Sequence, residues 1–281
     1  MDNELYTCKN CCSIFSGSYC NNCGEKAFTE KDKKISHFFS ELFHFSTHLD
    51  GKFFTTIKTI FTRPGKLSYD YCNGIRKKYF KPLSLFLLII IIYLLFPLAK
   101  GLNMNYNTYV SSEYNYAWYA RPIANNKISK KNIKIEEFAG KYDKKSQVFA
   151  KPFLLLLLPL SALALAGLFY KKRKYFFDHF VLGIEITSSI ITFMFLIVPL
   201  LAYIIMHIYP VSKIIFKDGS ILDYVVLILL LIMVSFALKK FYGQSWFWTV
   251  LKSLAFLLLF VFVILDFIYK FLLFITVNLF L

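Results

Sequence analysis

Apolar residues in this chain gather into long unbroken runs separated by short, strongly basic stretches. An α-helix needs about 20 predominantly apolar residues to cross a hydrocarbon layer about 30 Å thick. Five segments are predicted to do so: 83–99, 152–170, 180–207, 221–238 and 253–277. Pro82 suits the first turn of the first span, where its missing donor is not needed. Pro159 and Pro199 mark kinks in the second and third. Lys252, Asp266 and Lys270 interrupt the fifth. The predicted fold class is therefore an all-α integral membrane protein of about five transmembrane helices, occupying residues 82–281.

Ahead of the spans, residues 29–81 follow a different pattern. From Ile35 to Leu49 the apolar residues Phe38, Phe39, Leu42, Phe43, Phe45 and Leu49 fall on one side at 100° per residue. His37, Glu41, His44 and His48 fall on the other. A second helical stretch, Phe53 to Phe61, ends at the stop signal Arg63-Pro64-Gly65. A third, Leu67 to Phe80, is interrupted at Gly74 and turns basic at Arg76, Lys77, Lys78 and Lys81. Such helices are expected to lie against the headgroups, with Phe inserted and cations toward lipid phosphates.

Composition agrees with the pattern. The chain is 57% hydrophobic, above the 45–50% or so of soluble domains. Its formal charge of +16 would suggest nucleic acid in a soluble protein. Here the cations sit beside the apolar runs, so anionic headgroups and topology control are the better account, and nucleic-acid binding is disfavoured. Lys171-Lys172-Arg173-Lys174 and Lys239-Lys240 mark inside loops. With five spans, these and Arg76–Lys81 share one side, which makes the N-terminus cytoplasmic. The loop 100–151 carries ten Lys or Arg and is nonetheless assigned to the outside, since loops approaching 60 residues or so are poorly governed by the charge rule. Its Tyr106, Tyr109, Tyr114, Tyr116 and Tyr119 are expected to rest on the outer headgroups. No basic n-region followed by an apolar core opens the chain, so the first span reads as an uncleaved anchor.

Candidate chemistry begins with Cys8-x-x-Cys11 and Cys20-x-x-Cys23. Four thiolates at this spacing close tetrahedrally around one Zn²⁺. Residues 1–28 are too few to bury a core, so a structural zinc would supply their folding free energy. Four thiolates leave no open position for substrate. An iron–sulfur cluster or a redox dithiol pair is the alternative. Cys12 could exchange into the site, stay a free thiol, or simply occupy the knuckle. Cys72, alone on the basic stretch, reads as inert or as a palmitoylation site.

Two further groups carry alternatives. His44 and His48 at i, i+4 could grip a second metal, or could belong to the polar face of an amphipathic helix. Within the spans, Asp266 and Lys270 can neutralise one another, and Glu185 is followed by Thr187, Ser188 and Ser189. Intramembrane charges serve either helix pairing or function.

Taken in order, the cysteine pairs with Tyr19-Cys20-Asn21-Asn22-Cys23-Gly24, then Phe43-His44 and His48-Leu49-Asp50, Arg63-Pro64-Gly65, and Tyr71 through Lys81-Pro82 resemble one group. They are similar to bacterial membrane proteins of domain-of-unknown-function family 3667, over residues 8 to about 98. The resemblance implies a zinc ribbon and several spans in a bacterial inner membrane, and no activity. Such ribbons carry Gly after the second cysteine, where this chain has Cys12. The expected function is non-enzymatic: a scaffold or sensor, anchored in the inner membrane, whose ribbon engages an unknown protein partner. The rival is a small transporter or transport accessory using Glu185, Asp266 and Lys270.

Overall fold

The computed structural model describes residues 5–28, 51–96, 104–208 and 220–281. The expected helix over 35–49, and with it His37, Glu41, His44 and His48, lies outside these residues. A small N-terminal ribbon pairs β1 (Leu5–Thr7) with β2 (Ile14–Ser16) antiparallel. The rest is helical: α1 (Gly51–Thr62), α2 (Lys66–Cys72), α3 (Pro82–Leu95), α4 (Tyr106–Val110), α5 (Ala117–Lys131) and α6 (Ile135–Leu168). Helix α7 runs through Phe176–Ile191, a wide π-turn segment Thr192–Ile197 and Val198–Ile208. Helix α8 is Ser220–Tyr242, and α9 is Trp246–Phe280, with π turns over Leu259–Tyr269.

Among the described residues, four helices, within α6, α7, α8 and α9, are long and apolar enough to cross a membrane. The first predicted span is described over Pro82–Leu95 only, 14 residues or about 21 Å at 1.5 Å per residue. That described length is less than the thickness of a hydrocarbon layer, and residues 97–99 of the predicted span lie outside the described residues. Helices α6 and α9 lie antiparallel. Lys252 donates from Nζ to the Leu168 carbonyl (2.7 Å) at one end, and the Tyr269 hydroxyl donates to the Ala150 carbonyl (3.3 Å) at the other. Lys252 and Tyr269 are separated on α9 by about 26 Å of helix, close to the thickness of a hydrocarbon layer. Helix α7 is central, with every residue from Phe177 to Ile191 buried. It meets α6 at Gly183, where a Cβ would stand 2.9 Å from Ser161 Oγ and 3.2 Å from the Ala162 nitrogen. Small residues at the crossing are what allow two backbones to approach so closely.

The stretch expected as an outer loop is helical over most of its length. Helices α4 and α5 and the first half of α6 fold over the end of α9. Phe274 is the hub, its ring 4.9 Å from that of Tyr109, 5.4 Å from Tyr142 and 5.8 Å from Tyr119. Tyr106, Tyr109, Tyr116 and Tyr119 are buried here, where headgroup contact had been expected of them. An aromatic side chain can bury about 150–250 Å², and the extended end of α9 offers the apolar surface to bury it against. Lys127 then closes the C-terminal turn by donating to the Asn278 carbonyl (2.7 Å).

Candidate functional site

The ribbon is built from two near-identical knuckles. In the first, the Cys8 amide donates to the Ser13 carbonyl (2.9 Å) and the Cys12 amide to the Cys8 carbonyl (3.0 Å). In the second, Cys20 donates to Glu25 (2.8 Å) and Gly24 to Cys20 (2.7 Å) in the same offsets. Each knuckle thus needs a residue of positive φ after its second cysteine. Gly24 supplies it at 67° and Cys12 at 61°. The first knuckle therefore keeps its geometry without the expected glycine, and Cys12 stays exposed, outside the cluster. A left-handed non-glycine residue costs about 1–2 kcal/mol, so Cys12→Gly is expected to stabilise the ribbon by about 1 kcal/mol without loss of metal. Slower amide exchange at Tyr6 and Phe15 would register it. Faster exchange would mean that Cys12 does more than hold the turn.

The sulfurs of Cys8, Cys11, Cys20 and Cys23 all lie within 4.8 Å of one another. Cys8 and Cys23 are 3.5 Å apart, and Cys11 and Cys20 3.6 Å. A tetrahedron with metal–sulfur bonds of 2.3 Å has edges of about 3.8 Å, so the four thiols fit one ion with little adjustment. A multi-iron cluster with bridging sulfides needs a wider cage. Cys8 and Cys20 are buried with Phe15 between the knuckles. The Ser13 hydroxyl stands 2.7 Å from Cys11 Sγ and 3.4 Å from Cys20 Sγ. Its hydrogen bond lowers both thiols, Cys20 to about 6, while burial raises Cys8 to about 11. The Ser13 hydroxyl thus shifts two of the four clustered cysteines toward the thiolate form. A bound cation would deprotonate the others, because a coordinating thiol gives up its proton.

The ribbon is fastened to the helical domain. The buried carboxylate of Glu25 accepts from the backbone amides of Arg76 (3.1 Å) and Lys77 (2.8 Å). Lys77 Nζ donates back to the Cys23 carbonyl. The Arg76 guanidinium lies 4.7 Å over the Phe28 ring, 4.8 Å over Tyr71 and 5.8 Å over Phe177. Phe28 in turn abuts Gly74, where a Cβ would meet it at 3.0 Å. Two members of the basic run expected to face lipid phosphates are therefore engaged with the ribbon.

Beneath this contact lies a polar corner. Arg63-Pro64-Gly65 turns α1 into α2, with Gly65 at φ 79° and so close to α8 that a Cβ would collide with the Ala237 carbonyl oxygen. Glu185, buried on α7, receives the buried amides that this turn and the start of α2 leave without a helical acceptor. Its carboxylate accepts from the amides of Gly65 (2.8 Å) and Ser68 (2.7 Å) and from the Ser68 hydroxyl. Asp70, also buried, accepts from the Tyr79 hydroxyl (2.6 Å) and pairs with Lys66 (2.9 Å). The Phe80 amide donates to Thr56 Oγ1 (2.9 Å). Glu185 could be suspected from its place in an apolar run, but its partners, 117 and more residues earlier in the chain, could not.

Asp266 and Lys270 pair at 2.6 Å, and both engage the Tyr116 hydroxyl at the start of α5, in the cap that α4, α5 and the first half of α6 form over the end of α9, Lys270 at 2.7 Å. They share no hydrogen bond with Glu185 among the described residues. Cys72 is 1% exposed, and burial together with the Asp178 charge holds its thiol well above its ordinary value. An acylating enzyme cannot reach it. His44 and His48, suggested for a second metal, lie outside the described residues.

Comparison with known proteins gives a match to a family model. The family model described as "Protein of unknown function (DUF3667)" matches residues 50–94, which are α1, the Arg63-Pro64-Gly65 corner, α2, the basic run and α3. The resemblance read from Arg63 to Pro82 is shown over that segment. No curated protein and no solved structure matched.

Proposed function

We propose that this chain is a non-enzymatic, multi-pass protein of a bacterial inner membrane. Its cytoplasmic ribbon, folded by a structural Zn²⁺ at Cys8, Cys11, Cys20 and Cys23, presents a fixed docking platform to a protein partner. The observation that carries the reading is the fastening of Glu25 to the amides of Arg76 and Lys77. A ribbon merely tethered by a flexible linker would need no such clamp. The outward face supports it too. In the β1–β2 register Thr7 lies opposite Ile14 and Leu5 opposite Ser16, so these four share one face. Leu5 is 73% exposed there and Ile14 71%. An apolar patch on so small a unit is what a binding surface offers.

The test places a photo-crosslinking residue at Ile14 in cells and compares wild type with Glu25→Ala and Cys20→Ser. A specific adduct that weakens in Glu25→Ala and disappears in Cys20→Ser is expected. Hydrogen bonds to a charged group contribute about 1.5–3 kcal/mol each, so Glu25→Ala should loosen the docked ribbon by about 2 kcal/mol or more. That loosening is measurable as faster exchange of the Arg76 and Lys77 amides with the metal retained. An adduct insensitive to both substitutions would overturn the platform reading. The rival, transport along Glu185, Asp266 and Lys270, predicts a flux that Asp266→Asn/Lys270→Gln together abolishes. A structural ion pair predicts that this double change is better tolerated than either single one.

A further inference from the structure

We propose that a cleft between the Arg63-Pro64 corner and one face of α8 is a binding site for a single anionic phospholipid. The cleft encloses about 690 Å³ and opens along α8 over Leu229, Ile232 and Phe236, with Arg63, Lys66 and Lys240 at one end. The α8 residues recur at helical spacing, so they form one continuous face. Leu229, Ile232 and Phe236 are roughly half exposed and Met233, which also lines the cleft, is partly buried, on a helix apolar enough to cross a membrane. What surrounds them is therefore hydrocarbon.

Three features select the occupant. Lys240 and Arg63 are exposed, and neither is paired with a carboxylate among the described residues, whereas Lys66 is held by Asp70. No acidic side chain lines the cleft. A guanidinium and an ammonium that line one cleft, the latter resting 5.1 Å over the Tyr69 ring, with no carboxylate among the lining residues, suit a phosphate. The second feature is depth. Eleven residues of helix separate Leu229 from Lys240, about 16 Å, which is close to one leaflet's share of a hydrocarbon layer about 30 Å thick. The third is level. Trp246, 47% exposed, and Trp248, 55% exposed, follow just beyond Lys240, and indoles collect where headgroups begin. An anion at the mouth over an acyl chain's length of apolar wall describes a lipid. A peptide helix would not need the cations, and a free phosphate would not need the wall. The wall formed by Phe61 and Pro64 makes the place a cleft, where a bare helix face would meet only bulk lipid.

The inference rests on the membrane reading but not on the metal or the ribbon. Full-length protein would be reconstituted into vesicles of phosphatidylcholine, alone or mixed with phosphatidylglycerol, then extracted and weighed intact by native mass spectrometry. Wild type is expected to retain phosphatidylglycerol in preference to phosphatidylcholine. Arg63→Gln/Lys240→Gln should bind it about tenfold more weakly or worse. Leu229→Trp fills the apolar end while leaving the cations, and should weaken retention as well. Metal content, measured on the same samples, should be unchanged, which separates failure here from failure of the ribbon. Equal retention of the two lipids by wild type would overturn the proposal. So would undiminished retention by both variants, or protection of the detergent-solubilised protein by inorganic phosphate as strong as that by phosphatidylglycerol.

Discussion

Replacing Cys20 by Ser is expected to empty the ribbon of metal and unfold it, with the helical domain left intact. A serine hydroxyl at this site is a poor substitute for the thiol that the Ser13 hydroxyl and the knuckle backbone already favour as thiolate. The rest of the unit has little to fall back on. Its core is Cys8, Phe15 and Cys20, and two of those three belong to the four-thiol cluster. Binding of structural zinc supplies about 10–16 kcal/mol in comparable small units, far above what one buried phenylalanine provides. Metal analysis should fall from one ion per chain toward none. Amide protection across β1 and β2 should vanish, and the near-membrane residues Tyr79 and Phe80 should keep theirs. A fully metallated, protected Cys20→Ser protein would sink the assignment.

The second large effect concerns Glu185. Glu185→Ala leaves the Gly65 amide, the Ser68 amide and the Ser68 hydroxyl without the carboxylate that accepts them. The Ser68 hydroxyl can still donate to the Val181 carbonyl (3.2 Å), but a buried donor stripped of its acceptor costs about 1–3 kcal/mol, so the two amides should cost the corner about 2–6 kcal/mol. Ser68→Ala removes only the hydroxyl and should cost about 1 kcal/mol. Thermal unfolding in detergent, together with exchange of the Gly65 and Ser68 amides, gives the comparison. Should Glu185→Ala leave those amides as protected as before, the carboxylate is not what holds the turn, and its burial would call for a functional account instead.

These residues also show what the sequence could and could not convey. Apolar runs of spanning length and the doubled Cys-x-x-Cys are local signals, and both are legible by inspection. The α6, α7, α8 and α9 spans and the four-thiol cluster follow from them directly. Pairings across long sequence separations are not written locally. Nothing near Glu185 announces Gly65, and nothing near Glu25 announces Arg76 and Lys77. The basic run read as lipid-facing because its charge was visible while its ribbon partner was not. The tyrosines of residues 104–151 misled for the same reason. Tyrosine suits a wet interface and a protein core about equally, and only the surplus length of α9 decides between them. Cys12 was a visible oddity whose answer lay in one dihedral angle.

Helix α9 spans 35 residues, about 52 Å, so nearly half of it would stand clear of a hydrocarbon layer about 30 Å thick. The tyrosine-rich helices are the garment for that protruding half. Without them, a greasy spar would jut into water beside identical neighbours, and clumping would follow. Shortening the chain before Lys270 should therefore do double harm: the cap loses its peg, and its own aromatic rings are turned out to solvent.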